Sequence, residues 1–414
     1  MSKPKNKFKL ILILGLLTSI GPFTIDMYLP AFNHIASSLN TSISKVMYSL
    51  TTFFIGVSFG QLLYGPLLEK YGRKNPVYFG LSVYLIASVG CAFASSVEML
   101  IAFRFFQAVG GCVGMVAARA MVRDMFEAHE FAKIFSSLML IVAVSPILAP
   151  TFGSYVTAAL GWRYVFVFLF LLVCGIITAV YFMLPDTRKG DATISLRPAQ
   201  MLASYINVSK NIQFLTYALT GAISYSVVYT YITGSPHVFM DQFRVSEKTY
   251  GWIFAVIAAA LIGSSQLNSL ALRKYESKEI LRVAFLCQLV VGFLFIALTF
   301  SELLNLYSTI GMTICFIFCQ GFIFPNASGF AMAPFEKNAG SASALLGFLQ
   351  MIIGASASAL MGIFQEGALL TMTIIMTISS LIAFSIFTLG KRKIDQAASL
   401  TIIAQEDLEM IEGF

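Results

Sequence analysis

The chain has 414 residues, of which 58% are hydrophobic and only 11% charged, and its mean hydropathy is +0.82. A soluble globular domain needs far more charge to cover its surface, so that class is excluded. The formal charge of +7 reads as the topology signal of a membrane protein, and a nucleic-acid partner is not expected.

A helix needs roughly 20 apolar residues to cross a bilayer core. In chain order, runs of that kind predict spans near 8–30, 44–67, 76–96, 99–122, 131–157, 163–184, 212–237, 249–271, 279–299, 303–326, 340–363 and 369–390. The expectation is an all-α integral membrane protein of twelve transmembrane helices in two six-helix bundles. Strands of a membrane barrel are excluded, because their segments run to roughly 10 residues of alternating polarity. The first run follows a short basic start, as a signal peptide does. It is long and has no small-residue cleavage site, so it reads as a retained helix.

That first span contains one carboxylate, Asp26, in Thr24-Ile25-Asp26-Met27-Tyr28-Leu29-Pro30. An acid near mid-bilayer costs roughly 2.5–3.5 kcal/mol on insertion scales, which points to use in ion or proton coupling. Counted from Lys9, Asp26 lies roughly 25 Å along its helix. Arg104, counted from Glu98, lies roughly 9 Å deep from the other surface, at a similar level. The two form either a static ion pair or a site where protonating Asp26 frees Arg104 to rearrange. A structural pair gains little over apolar packing, which favours the coupling role.

After the second span, Gly65-Pro66-Leu67-Leu68-Glu69-Lys70-Tyr71-Gly72-Arg73-Lys74 gathers glycines, an acid and several bases into one turn. Glycines suit a tight reversal and close helix approach, and Glu69 and Arg73 can pair with each other or with Asp124. Such a cluster can latch two halves together; an ordinary cationic loop is the plainer reading. In the fifth span, Ser145-Pro146-Ile147-Leu148-Ala149-Pro150-Thr151-Phe152-Gly153 loses two backbone donors and gains a small contact face. That predicts a kink, either static or part of a rocking interface.

A polar stretch from Pro185 to Asp191, then a moderately amphipathic segment from Arg197 to Lys210, divides the chain. The predicted organisation is a first bundle over 1–184, a linker with a surface helix over 185–211, a second bundle over 212–390 and an acidic tail over 391–414. The tail reads as a solvated or partly helical end. A faint repeat joins the bundles: Leu67 to Lys74 resembles Ala271 to Lys278, and Pro30 is echoed by Pro236. With Met1 inside, the inner loops and tails collect Lys3, Lys5, Lys7, Lys9, Lys70, Arg73, Lys74, Arg123, Lys133, Arg188, Lys189, Arg197, Lys210, Arg273, Lys274, Lys278, Arg282, Lys337, Lys391, Arg392 and Lys393. The outer loops hold only Lys45, Arg163, Arg244 and Lys248, which predicts both termini in the cytoplasm.

Cys91, Cys112, Cys174, Cys287, Cys315 and Cys319 all fall in predicted spans without nearby acids or histidines, so small buried apolar residues are expected and no metal or cofactor. His34, His129 and His237 sit near span ends or in a loop; solvated or capping roles are the default, with His237 a candidate proton relay. No phosphate-binding Gly-x-x-x-x-Gly-Lys-Ser/Thr loop and no Ser/His/Asp constellation is present, which argues against an ATP-driven pump and against an enzyme.

The segments Thr24 to Ala31, Gly60 to Pro66 with Gly72-Arg73-Lys74, Arg104 to Gly110, Arg119 to Asp124, Ser145 to Gly153 and Gly161-Trp162-Arg163 resemble the ordered signatures of the Bcr/CflA-type drug:proton antiporters of the major facilitator superfamily. The match is dense in the first half and thin in the second. It implies a two-lobed carrier that alternates access and exports small organic compounds against inward proton flow. It further implies that Asp26 is the proton-linked acid, Arg104 the fourth-span arginine tied to coupling, Gly65 to Lys74 the conformational motif, and Pro146, Pro150 and Gly153 the antiporter motif. Two departures stand out. Glu69 replaces the usual aspartate, and Leu68 stands where a small residue is common.

The superfamily's cavity-lining spans offer Tyr28, Met115, Tyr225, Tyr229, Tyr231, Phe322 and Asn326. Aromatics and methionines with few fixed charges suit varied apolar or weakly cationic compounds. The expected protein is a monomeric, proton-coupled exporter of small drugs in a bacterial inner membrane. The alternatives are a dedicated exporter of an endogenous metabolite, such as a siderophore, an amino acid or a natural product, and a channel.

Overall fold

The computed structural model describes residues 7–126, 128–187, 190–191, 194, 196–335, 339–364 and 367–412. Lys3, Lys5, Arg188, Lys189 and Lys337 lie outside the described residues, as do the side chains of His129, Lys133 and the tail acids Glu406, Asp407, Glu409 and Glu412.

The described chain is a succession of helices: α1 (Lys7–Asp26), α2 (Phe32–Ser38), α3 (Ile43–Lys70), α4 (Lys74–Ala92), α5 (Val97–Met125), α6 (Ala128–Leu160), α7 (Arg163–Met183), α8 (Pro198–Ser209), α9 (Ile212–Pro236), α10 (Glu247–Ala271), α11 (Ser277–Phe300), α12 (Leu306–Met332), α13 (Ala339–Ile363) and α14 (Ala368–Glu412). Setting aside the short α2 and α8 leaves the twelve long helices that the apolar runs predict. Eleven spans among the described residues are long and apolar enough to cross a membrane. The helix missing from that set is α9, which carries Thr216, Thr220, Ser224, Ser226, Thr230, Thr233 and Ser235. Those side chains are all buried, and several return their hydroxyl to the helix's own carbonyls, as Thr220 does to Thr216 at 2.8 Å and Thr230 to Ser226 at 2.8 Å. A helix wrapped by protein can keep such polarity where a lipid-facing one cannot.

The first bundle forms as α3 and α4 pack on α5, α1 packs on α6, and α7 on α4; in the second, α9 packs on α12 and α14, and α12 on α10 and α11. Two long seams join the bundles, α3 against α13 and α6 against α10. Small residues set the first seam. A Cβ on Gly347 would overlap the Gln61 amide, and one on Gly362 would press on the Tyr48 ring. Thr51 and Ser358 share a hydrogen bond of 2.9 Å across it.

One boundary departs from expectation. The first span does not run helical through residue 30: α1 stops at Asp26, Met27 and Tyr28 form a turn, and a short 3₁₀ segment, Leu29–Ala31, leads into α2. Pro30 has no N–H to give and pushes the residue before it out of helical geometry. Gly153 of α6 fits against the Met27 carbonyl there, where any side chain would collide. At the other terminus α14 continues as helix to Glu412.

The bundle has two ends. At the base lie Lys7, whose ammonium sits over Phe126, together with the α3–α4 turn and the start of the linker: Asp191 donates its N–H to the Glu69 carbonyl at 3.0 Å, and Gly190 packs on the Lys70 carbonyl. The linker's α8 is mostly exposed; Tyr205 donates to the Leu62 carbonyl at 3.0 Å, and Ser204 bonds Ser341 at 3.1 Å. Burial, and then the Glu69 carboxylate, push the Tyr205 phenol above its usual range. At the opposite end, the top, Arg163 reaches Ser38 and the Ala94 carbonyl, and His34 of the first bundle meets Glu247 of the second at 2.7 Å.

Candidate functional site

Asp26 ends α1 at the break and is 4% exposed. Among the described residues no hydrogen bond or ion pair reaches its carboxylate. The hydroxyl groups that feel its charge are those of Tyr225, Tyr231 and Tyr250, all in the second bundle. It therefore looks across the gap between the bundles.

Arg104 lies at the same level but is not its partner. The side chain is fully buried; Nη1 donates to Gln107 Oε1 at 2.7 Å and to the Thr24 carbonyl at 3.3 Å. The guanidinium carbon sits 4.3 Å from the Phe53 ring centre, 4.5 Å from that of Tyr28 and 6.0 Å from that of Phe166. A desolvated cation held between aromatic faces gains about 2 kcal/mol or more per good contact. Gln107 is itself fixed by donating Nε2 to Ser88 Oγ at 2.8 Å, and Thr24 by a 2.6 Å hydrogen bond with the Tyr84 hydroxyl. The ion pair with Asp26 that the shared depth allowed is thus not formed. The reason is rotational: at 3.6 residues per turn, positions 24 and 26 are about 200° apart. With Thr24 turned toward α4 and α5, Asp26 must face away from Arg104.

The turn between α3 and α4 is organised by one bidentate pair. Arg73 Nε meets Asp124 Oδ2 at 2.6 Å and Nη2 meets Oδ1 at 3.1 Å, while Nη1 caps the Leu68 carbonyl at 3.1 Å. Arg73 is 1% exposed despite its place in a loop. Glu69 does not pair with Arg73; its backbone carbonyl serves the linker instead. Thr187 of the linker adds a 3.3 Å hydrogen bond to Asp124 Oδ2. Gly72 is needed for the reversal, with φ of 80°, whereas a Cβ on Gly65 would meet nothing within 4 Å, so close approach is no reason for glycine there.

The α6 motif touches both bundles. Gly153 backs onto Met27, one residue beyond Asp26. A Cβ on Gly251 of α10 would lie 3.2 Å from Ser154 Oγ and 3.3 Å from the Pro150 carbonyl. Despite Pro146 and Pro150, α6 remains a single helix.

The residues expected to line a cavity separate into groups. Tyr225 and Tyr229 do face the junction of the bundles: their ring centres are 5.4 Å apart, Phe54 of α3 lies 4.8 Å from Tyr229, and Phe324 lies 4.4 Å from Tyr225. Tyr229 also donates to Met351 Sδ at 3.5 Å. Tyr231 stacks on Phe254 at 5.4 Å. Met115 lines a small cavity of about 30 Å³ in the first bundle with Pro22, Phe53, Tyr84 and Cys112. Three expectations are corrected. Tyr28 is buried in the Arg104 cage and bonds Ser49 at 2.9 Å. Asn326 is committed to Asn268 at 2.8 Å, between α10 and α12. Phe322 faces a separate apolar groove of about 360 Å³ along α10, α11 and α12, with Tyr275, Cys287 and Phe318. Phe324 holds the place assigned to Phe322, since two residues along a helix reverse the face. Cys91, Cys112 and Cys319 are buried, Cys287 and Cys315 exposed, and among the described residues no metal-binding cluster occurs.

Two helical bundles of six long helices, joined along two seams with a buried acid between them, define a two-lobed membrane transporter. The chain belongs to the Major Facilitator Superfamily, whose model matches residues 14–359. It is 30% identical over 396 residues to the uncharacterized MFS-type transporter YdgK of Bacillus subtilis, covering 95% of this chain and 98% of that one. It is 29% identical over 355 residues to the bicyclomycin resistance protein homolog of Haemophilus influenzae, covering 86% and 89%. Among solved structures, a bacterial homologue of the human lysosomal transporter Spinster superposes with a TM-score of 0.76 at 14% identity, over 94% of this chain and 97% of that one.

Proposed function

We propose that this transporter is a proton-coupled antiporter that exports small, largely apolar organic compounds, antibiotics among them, across a bacterial inner membrane by alternating access. It works as a monomer with both termini in the cytoplasm, so the base faces inward. The observation that carries the reading is Asp26: a carboxylate in the membrane interior, free of any protein partner among the described residues, set at a helix break between the bundles.

The chemistry follows from that placement. Charged, Asp26 sits opposite a tyrosine-lined wall of the second bundle and disfavours an approach that would strip its remaining water. Protonated, it is a neutral group that the closed arrangement tolerates. A proton taken on one side therefore changes which closure is stable, and cargo leaving the aromatic junction resets the cycle. The break at Met27 and the small face of Gly153 give the first helix a place to bend without losing backbone hydrogen bonds along its whole length. Tyr225, Tyr229, Phe54, Phe324 and Met351 offer the cargo a soft, apolar contact surface. Arg104 is assigned a positioning role: its cage fixes the carbonyl of Thr24, and through it the end of α1. One charge crossing the membrane supplies about 2.3 kcal/mol per 100 mV, which is enough for export against a moderate gradient. The drug-resistance name of the Haemophilus relative supports a drug cargo over an endogenous metabolite.

The test is Asp26→Asn in everted vesicles. The amide cannot titrate, so drug-induced proton release is expected to vanish while the protein still inserts. Active efflux that survives the substitution overturns the assignment.

A further inference from the structure

Three arginines of the first bundle have buried guanidinium nitrogens, and each has been given a different environment. Arg73 has a carboxylate, with Nε and Nη2 taking the two oxygens of Asp124. Arg104 has aromatic faces and a glutamine. Arg119 of α5 has neither. Its Nε is buried without an acceptor, and its one hydrogen bond among the described residues is a long 3.4 Å contact from Nη1 to Ser343 Oγ of α13, in the other bundle. Among the described residues no carboxylate forms an ion pair with it. An arginine does not shed its proton, and a desolvated cation without a partner is costly, so the counter-charge has to come from elsewhere.

The edge left over is informative. A guanidinium binds a carboxylate through two parallel N–H groups, and Arg73 uses Nε and Nη2 for this purpose. In Arg119 the Nε of that edge is buried without an acceptor, while Nη1 is tied across the seam to Ser343. Arg119 is 15 residues along α5 from Arg104, about 22 Å toward the base, so it is far from Asp26 and near the end at which cargo enters. It lies one helical turn below Met115 on the face that continues from the small cavity.

We infer that Arg119, held by Ser343, is an anion-recognition point for the exported compound, and that the transporter's substrates include amphipathic organic acids whose carboxylate, or an equivalent two-oxygen anion, docks on the Nε and Nη2 edge of Arg119. The inference rests on the export reading above and names a substrate class for it.

The experiment uses purified full-length protein in lipid nanodiscs and a matched fluorescent pair, pyrenebutyrate and pyrenebutanol, which share an apolar body and differ in the carboxylate. The wild-type protein is expected to bind the acid about ten- to hundredfold more tightly than the alcohol, the size of a charged hydrogen-bonded contact. Arg119→Gln should erase that difference and Arg119→Lys should keep part of it, because lysine retains the charge but not the fork. Equal affinity of the wild-type protein for the two probes overturns the proposal without any mutant. A loss in Arg119→Gln that falls equally on acid and alcohol overturns it too. Displacement of pyrenebutyrate by millimolar chloride or inorganic phosphate would show a site for free inorganic anions and not for an organic cargo. Binding is read without a gradient, so failure here leaves the proton-release test on Asp26 unaffected, and failure there leaves this one standing.

Discussion

The first, third and fourth long helices of each bundle are stitched together by buried polar side chains, and the two bundles do it with different chemistry. In the first, α1, α4 and α5 meet through Thr24, Tyr84, Ser88, Gln107 and the caged Arg104. In the second, α9, α11 and α12 meet through Ser224, Gln288 and Gln320: Gln320 Nε2 donates to Ser224 Oγ at 2.9 Å, and Gln288 Nε2 donates to Gln320 Oε1 at 3.1 Å and to the Phe316 carbonyl at 3.2 Å. Gln107 and Gln320 both stand on the fourth long helix of their bundle, yet only the first network contains a charge. Neutral amides that bond one another make a cross-link, although Gln288 Oε1 is buried without a partner. A cation in an aromatic cage beside a helix break adds something an amide cannot, a permanent charge. Among the described residues the buried charged side chains, Asp26, Arg73 and Arg104, all belong to the first bundle, and the second supplies an aromatic wall.

The largest expected effect separates these roles. Arg104→Ala should lower drug-linked proton release by about 5- to 150-fold, the usual span of coupling energies, with the protein still inserted. Gln320→Ala should lower the melting temperature and leave coupling near wild type. Equal effects on coupling would mean that both networks are structural cross-links and would break the comparison. Next in size is Gly153→Ala. Its Cβ would collide with the Met27 carbonyl, a backbone atom that cannot swing aside, so a stability loss of about 1–3 kcal/mol and impaired efflux are expected. Gly175→Ala is the control, on an exposed face of α7 where a Cβ meets nothing within 4 Å; its thermal melt should be unchanged. The smallest effect belongs to the exposed His34–Glu247 pair at the top. Glu247→Gln should change transport rates by less than about fivefold, since exposed pairs are worth at most about 1 kcal/mol. A larger change would make that pair a gate between the bundles and shift weight from the membrane interior to the top.

Much of the fold was legible in the residue order. The apolar runs predict the long helices, and even α9, rich in hydroxyl side chains, is predicted at 212–237 because its serines and threonines are interspersed with Tyr, Val, Ile and Ala. Asp26 stands out because a carboxylate in a stretch without others is a local anomaly. The Arg73–Asp124 pair was one of several pairings that the charges in the turn allowed. The break after Asp26 had its signal in Pro30, but a proline at the end of an apolar run also fits an ordinary helix terminus. Arg119 stands out in the sequence only within a signature, because its lack of a carboxylate partner among the described residues depends on neighbours far away in the chain.

Hydropathy reports how deep a residue lies, because the bilayer is a solvent layered along one axis and a helix rises through it by a fixed 1.5 Å per residue. That is why chain order by itself determined the helix count, the two-bundle division and the matching levels of Asp26 and Arg104. It does not report which way a side chain points around the axis. α1 is apolar on nearly every side, so nothing in its pattern distinguishes the face of Thr24 from that of Asp26, or on α12 the face of Phe322 from that of Phe324. Only the packed structure fixed those rotations, because they are set by contacts between helices: Gly153 on the Met27 carbonyl, Gln107 under Arg104 and Phe324 against Tyr225.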